Sequence, residues 1–369
     1  MRQIFIFGVA RSGTNLIARL LNTHKKIHFF LDPFLPIFKS LLQNFSVNND
    51  ELTEIKNCKF LPDYYFLKNN QKIFNLIFNK LSLNSEIPEY LLSNLNDNFL
   101  ERYYLENDEK VDLKKMKNIR FYNEYFDFLF EETKIKRNLD IVGSKEVWTI
   151  EFIPSILRHY QKAKFVIINR DPRAIIMSMI KLGLKDQSQK ANIIGYIRHW
   201  RKNFEIYQIL DKLSATKNKV FFLDYENFLL DEEKYLNDLE FFLDIELKKS
   251  IDLNISGWSG NSSYKNIKGI SKTNANKWKE DISDDLENLI IFMCFKEMLL
   301  LGYDVGKKVK KLNTKEIEKT FNKFFKQKGS WKIMGENAKF NFKKELERFE
   351  MSMNTDRQKD VSLFLSSLK

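Results

Sequence analysis

A β-prone apolar run from Gln3 to Phe7 passes into Gly8-Val9-Ala10-Arg11-Ser12-Gly13-Thr14-Asn15 and then into a helical pattern, Asn15 to Asn22. Leu16, Ile17, Leu20 and Leu21 share one face of that helix. Strand, glycine-bounded loop and helix in this order leave backbone N–H groups at the helix start, where the helix dipole also favours negative charge, so the loop is an anion cradle. Its spacing resembles GxxxxGK[ST], but Thr14 stands at the lysine position and Asn15 at the metal-hydroxyl position. An ordinary ATPase or kinase would lack both groups, and Arg11 supplies the cation instead. Taken alone, such a loop is equally a tight turn.

Strand signals return at Asp140 to Gly143, Lys164 to Asn169 and Lys219 to Leu223, with helical patterns between them. This alternation predicts parallel βαβ units, hence an α/β three-layer sandwich with a central parallel sheet of the P-loop nucleotide-binding type. Residues 34 to 135 carry Phe and Leu at helical spacings, as in KIFNLIFNKL and FYNEYFDFLFEE, and read as a mostly helical insertion. After Leu223 come a helix from Asp231 to Leu243, a polar loop from Gly257 to Ser271, and a helix from Asp284 to Leu301 closed by Gly302. From Lys307 onward the pattern is helical and basic, broken near Gly329 and Gly335. The expected organisation is one domain over residues 1–305 with the insertion at 34–135, then a basic helical C-terminal extension over 306–369.

With 43% hydrophobic residues in 369, the chain has material for a large core and does not read as disordered. Cys58 and Cys294 fit neither a disulfide framework nor a zinc site, which points to a reducing, cytoplasmic setting. The four histidines, His24, His28, His159 and His199, form no HExxH pattern, so no protein-bound metal is expected. The N-terminal apolar run is too short for a signal-peptide core, and no stretch approaches the roughly 20 apolar residues that span a bilayer. Of the net +12, residues 307–369 hold 17 Lys and Arg against 8 Asp and Glu. That surplus suits weak contact with an anionic surface or polyanionic acceptor, and equally a solvated helical face. Nothing in the pattern requires nucleic acid.

A second constellation is Lys164-Phe-Val-Ile-Ile-Asn-Arg170-Asp171-Pro172-Arg173, continuing to Ser178. The strand ends in Arg170, Asp171 suits an N-cap and Pro172 the first helical position, so Arg170 is held at the C-terminal edge of the sheet. In open α/β sheets ligands bind along this edge, which puts Arg170 and the first loop on one crevice. Ser178 follows about two helical turns later.

Together these segments resemble the sulfotransferases that use 3'-phosphoadenosine 5'-phosphosulfate (PAPS) as donor and release 3'-phosphoadenosine 5'-phosphate (PAP). The resemblance implies that Arg11, Ser12, Gly13, Thr14 and Asn15 bind the 5'-phosphosulfate, and that Arg170 and Ser178 bind the 3'-phosphate. Asp224-Tyr225-Glu226-Asn227 looks like the family's YED segment, whose tyrosine approaches the adenosine. The stretch Gly260 to Ser283 is similar to its C-terminal cofactor loop, which brings in Ser263, Tyr264, Lys272, Lys277 and Trp278. Cytosolic members carry an Arg-Lys-Gly triplet there; this chain offers Lys272 and Lys277. No metal is implied, and a hydroxyl-bearing acceptor is, either a glycan or a small-molecule alcohol or phenol.

Lys145, in GSKEVW, resembles a lysine that holds the transferring sulfuryl group, and reads equally as a surface lysine at a strand end. The family's cytosolic histidine base has no counterpart after Lys145. By similarity to protein-tyrosine sulfotransferases, Asp32 of FFLDPF takes the base position, with Glu146 in reserve; Asp before Pro33 is also a common turn opener. Two other function classes stay open on these residues: a P-loop small-molecule kinase, and a non-catalytic polyanion-binding module on the same fold.

Overall fold

The computed structural model describes residues 2–33, 119, 122–185, 192–213, 216–247, 272–306, 313–327 and 337–354. Most of the expected insertion, with Cys58, and the polar loop carrying Ser263 and Tyr264 lie outside the described residues. Within them a five-stranded, wholly parallel sheet runs in the order β2-β3-β1-β4-β5. Its strands are β1 (Arg2–Gly8), β2 (Ile27–Leu31), β3 (Ile141–Val147), β4 (Lys164–Asn169) and β5 (Val220–Asp224).

Two departures from the sequence reading bear on the site. Strand β2 was not expected, because IHFFL is a short continuous apolar run that periodicity cannot assign. Strand β3 continues beyond Gly143 through Ser144, Lys145 and Glu146 to Val147, every residue of it buried. Lys145 is therefore an interior residue rather than a surface lysine at a strand end; it is 1% exposed. Two charged side chains disguise a fully enclosed strand, whose usual signature is an unbroken apolar run.

Side chains alternate across the sheet and sort the helices to its faces. On one face Ile4, Ile6, Phe29, Leu31, Val166 and Leu223 pack under α1 (Thr14–Asn22) and the later α6 (Tyr225–Leu230) and α7 (Glu232–Leu243). On the other, Phe5, Phe7, Phe30 and Phe165 form an aromatic layer with Phe126 and Phe130 of α2 (Tyr122–Arg137). Helix α3 (Ile153–His159) joins this side through Tyr160, whose ring meets Phe5 and Phe130.

Farther along the second face, α4 (Pro172–Lys185) and α5 (Ile193–Lys212) share a core with α8 (Asp284–Leu300). That core also takes Ile317, Phe321 and Phe324 of α9 (Thr314–Phe325) and Phe342 of α10 (Ala338–Asn354). The described part of the basic C-terminal segment thus carries an apolar stripe that is packed down, while the lysines described in it are exposed. Asn313 and Glu316 start α9 with a reciprocal capping box. Among the described residues no helix is long and apolar enough to cross a membrane.

Candidate active site

All five strands end on one edge, and several of the described residues singled out above lie along it. From β1 the chain builds outward to β2 and β3 on one side, then crosses to β4 and β5 on the other. The order reverses beside β1, where open α/β sheets bind ligands.

The loop after β1 is tightly constrained. A Cβ on Gly8 would lie 2.7 Å from Ser12 Oγ and 2.9 Å from the Ile168 carbonyl, and one on Gly13 would lie 2.4 Å from the Tyr225 ring. Gly13 also has φ +100°, a conformation that glycine takes at little cost. Arg11 has φ 75° without being glycine, a strained backbone that the surrounding loop must hold. Ser12 Oγ and Asn15 Oδ1 are buried with no hydrogen-bond partner among the described residues. Buried polar atoms are costly without partners, and the Ser12 hydroxyl, which can donate, fits a bound anion; the Asn15 amide oxygen only accepts and needs a donor instead.

Two guanidinium groups converge beside this loop. Arg11 Nε donates to Ser178 Oγ at 2.9 Å, and Arg170 Nη1 donates to the Arg11 carbonyl at 2.9 Å. Burial and the nearby Arg170 charge both lower the Arg11 pKa, so the pair gains from an arriving anion. Arg170 lies over the Tyr225 ring at 4.6 Å, and the Trp200 indole of α5 donates to its carbonyl at 2.8 Å. As expected, Asp171 caps α4, its Oδ1 accepting from Arg173 N–H at 2.8 Å. The structure therefore brings Arg11, Ser12, Gly13, Asn15, Arg170, Ser178 and Tyr225 together; Thr14 is buried at the helix start.

At the other end, beyond β3, Asp32 pairs with the Lys145 ammonium through Oδ2 and accepts the Val147 N–H at 3.0 Å through Oδ1. Asp32 follows β2 directly, in a left-handed conformation with φ 56°. Lys145 is in register with Ile6 and Leu31, on the face that α1 covers. Glu146 is in register with Phe7, and by strand alternation it belongs to the opposite face; the structure does not bring it to Asp32.

The basic candidates of the C-terminal loop lie in two single-turn helices. Lys272 opens Lys272–Ala275, which packs beside α6, and is exposed; Lys277 opens Lys277–Glu280 and is half-buried. Trp278 is buried in the α4/α8 core, with the Arg173 guanidinium 4.4 Å from its ring centre.

Several site residues escaped the sequence reading. Trp148, with φ 73°, follows β3 and packs edge-on against Tyr196 at 4.8 Å and over His199 at 3.8 Å. Burial pushes the Tyr196 phenol up to about 12, with the Arg11 charge acting against it. Burial and Lys202 hold the His199 imidazole well below its ordinary value. Arg11, Asp32 and Trp148 are all non-glycine residues at positive φ just after a strand, and no local composition announces that.

A family model described as "Sulfotransferase family" matches residues 3–249, two thirds of the chain. The chain belongs to the sulfotransferase family. Among solved structures, this sulfotransferase is similar to the sulfotransferase domain of the olefin synthase of Synechococcus PCC 7002. The identity there is 18% and the TM-score 0.47, covering 82% of this chain and 95% of that one. It is also similar to the sulfotransferase domain from the curacin biosynthetic pathway, at 15% identity and a TM-score of 0.47, over 82% and 98% of the two chains. A sulfotransferase from Alicyclobacillus acidocaldarius matches at 14% identity and a TM-score of 0.41, over 84% and 99%. Comparison with curated proteins finds no match.

Proposed function

We propose that this sulfotransferase uses PAPS as donor and moves its sulfuryl group to the hydroxyl of a glycan or a small alcohol or phenol. The observation that carries the reading is the order of groups along the sheet edge: carboxylate and lysine at β2 and β3, anion loop at β1, arginine at β4, aromatic ring at β5. A donor with a phosphosulfate at one end and a phosphate at the other needs two cationic cradles on one crevice with a base beyond the first. Bound there, PAPS supplies an activated sulfuryl group and leaves as PAP.

In this reading the 8–15 loop and Arg11 orient the phosphosulfate and oppose the charge that grows on the leaving oxygen. Arg170, with Ser178, holds the 3'-phosphate, and Tyr225 stacks beside the adenosine. Lys272 and Lys277 close from the C-terminal side, with Trp278 as packing support. Asp32 takes the acceptor proton: a carboxylate has about four acceptor sites, and Lys145 and the Val147 N–H occupy two of them. Lys145 orients that carboxylate and stands ready to meet sulfuryl oxygen. Catalysis of this kind is mainly positioning and charge stabilisation, as in phosphoryl transfer. The same reading takes the protein as cytoplasmic, with residues 1–305 as catalytic domain and 306–369 as its extension.

Thermal unfolding of the full chain with PAP, with ATP plus magnesium and with neither tests this directly. Stabilisation by PAP without metal is expected, near 2.7 kcal/mol at about a hundred times Kd. Stabilisation by ATP plus magnesium alone would instead indicate a kinase, and by neither a non-catalytic module.

A further inference from the structure

Behind Arg170, three carboxyl groups from two strand ends crowd into one buried cluster. Asp171 is already committed: Arg173 grips it through Nε and Nη2, at 3.0 and 2.7 Å, while also reaching Glu287 and the Asp304 carbonyl. Asp224 is committed too, capping α6 by accepting the Asn227 N–H at 2.9 Å. Glu226 has a different set of partners. Both its oxygens accept the backbone N–H of Asp171 at 3.2 Å, Oε2 accepts from the Tyr303 hydroxyl at 3.2 Å, and Oε1 lies 3.8 Å from Arg170 Nε. Tyr303 is itself fixed by Asn169, whose amide donates to its oxygen at 3.0 Å.

We propose that Glu226 is the positioning residue for Arg170, fixing its backbone through the Asp171 N–H and competing, when ionised, with the phosphate that Arg170 is to bind. The inference rests on the reading that Arg170 receives the 3'-phosphate. The groups facing Glu226 are Arg170 and Asp171 from the β4–α4 turn, Asp224 and Tyr225 from the β5–α6 turn, and Tyr303 from the segment after α8. Arg173 is answered by Asp171 and Glu287, so with Glu226 neutral the carboxyl nearest Arg170 carries no charge. With Glu226 ionised, a further negative charge lies beside the guanidinium that an anion must approach.

Burial pushes the Glu226 carboxyl up to about 8, Arg170 acting against that rise and Asp224 and Asp171 adding to it. The neutral form therefore prevails below about pH 8, and an arriving phosphate favours it further, because two like charges would otherwise share one site. Binding above that pH takes up a proton. Affinity then falls as pH rises through this range, by at most about tenfold per unit.

Calorimetric titration of the full chain with PAP and with AMP, which differ in the 3'-phosphate, decides the matter. From about pH 7.5 to about pH 9.5 the wild type is expected to lose about tenfold in PAP affinity, with AMP affinity unchanged. Glu226→Gln, a neutral isostere, is expected to stay within about threefold of wild type at the lower pH and to lack the slope. Glu226→Ala leaves the Asp171 N–H without its acceptor and should weaken PAP by about tenfold throughout, again sparing AMP. A wild-type slope in Glu226→Gln, or wild-type PAP affinity in Glu226→Ala at the lower pH, would overturn the proposal. If the alanine variant does not fold, the slope of the glutamine variant decides alone. Unchanged PAP affinity in Arg170→Ala is a separate outcome, and it would remove the 3'-phosphate reading itself.

Discussion

Arg170 is held from three sides, by the Arg11 carbonyl, the Tyr225 ring and Glu226, so its guanidinium is pre-placed rather than searching. Arg170→Ala should therefore weaken PAP by about 1.5 to 3 kcal/mol and leave AMP nearly unaffected, measured by calorimetry. Ser178→Ala is a less selective probe, because Ser178 also receives Arg11 Nε, and some loss of AMP is expected with it. Equal losses for both ligands in Arg170→Ala would remove the 3'-phosphate assignment. For the base, Asp32→Asn is expected to lower turnover by about a hundredfold with PAP binding intact, since the amide cannot take the acceptor proton. Glu146→Gln, altered on the opposite face of β3, is expected to act through stability instead. Near-normal turnover in Asp32→Asn would eliminate it as the base. That Arg170 would lie beside the loop of Arg11 was legible in the sequence, because each follows the end of an apolar strand. Glu226, Tyr303 and Trp148 were not: their roles arise only when separate segments are folded against each other, and no local spacing encodes that.

Among the elements, β1 and β4 could be read from unbroken apolar runs, whereas β2 and the second half of β3 could not. The two missed pieces lie side by side, Leu31 in register with Lys145, and their pairing creates the Asp32–Lys145 contact. Helix α5 departs further from any pattern reading, since Arg198, His199, Arg201 and Lys202 are all buried in it. The charge of Arg198 and Arg201 is answered from far along the chain. Glu345 of α10 pairs with Arg198 Nε at 2.6 Å and with Arg201 Nη1 at 2.8 Å, while Arg201 also donates to the Met293 carbonyl of α8. Removing one partner of a buried ion group strands the remaining charge, at about 3 to 5 kcal/mol. Glu345→Ala is accordingly expected to lower stability by about that amount in a denaturant titration, with Glu345→Gln recovering part of it by hydrogen bonding. A change below about 0.5 kcal/mol for the alanine variant would mean the cluster is solvated rather than buried.

At the scale of the whole molecule, the C-terminal segment and the crevice at the sheet edge are joined through one helix. Helix α5 carries Trp200, whose indole holds the Arg170 carbonyl, and one residue later Arg201, which α10 neutralises. Helix α10 also brings Phe342 flat against Phe321 at 3.8 Å and Phe349 against Phe292 at 4.3 Å. A chain ending at residue 336 would forfeit these two ring contacts along with Glu345. Losing a buried Phe costs about 3 to 5 kcal/mol, so the truncated protein should be destabilised by well over 5 kcal/mol. For a chain of this size that corresponds to a fall in Tm of about 6 °C or more, read by differential scanning calorimetry. Because the freed charge lies next to Trp200, PAP affinity should fall as well, and more than AMP affinity, since Arg170 is the residue that shifts. If the segment were merely a solvated basic extension, truncation would leave Tm and both affinities as they are, and would alter only the salt dependence of binding to anionic surfaces. An unchanged Tm would therefore sever the link between tail and crevice, whereas a lowered Tm with selective loss of PAP would establish that the C-terminal helix helps to build the donor site.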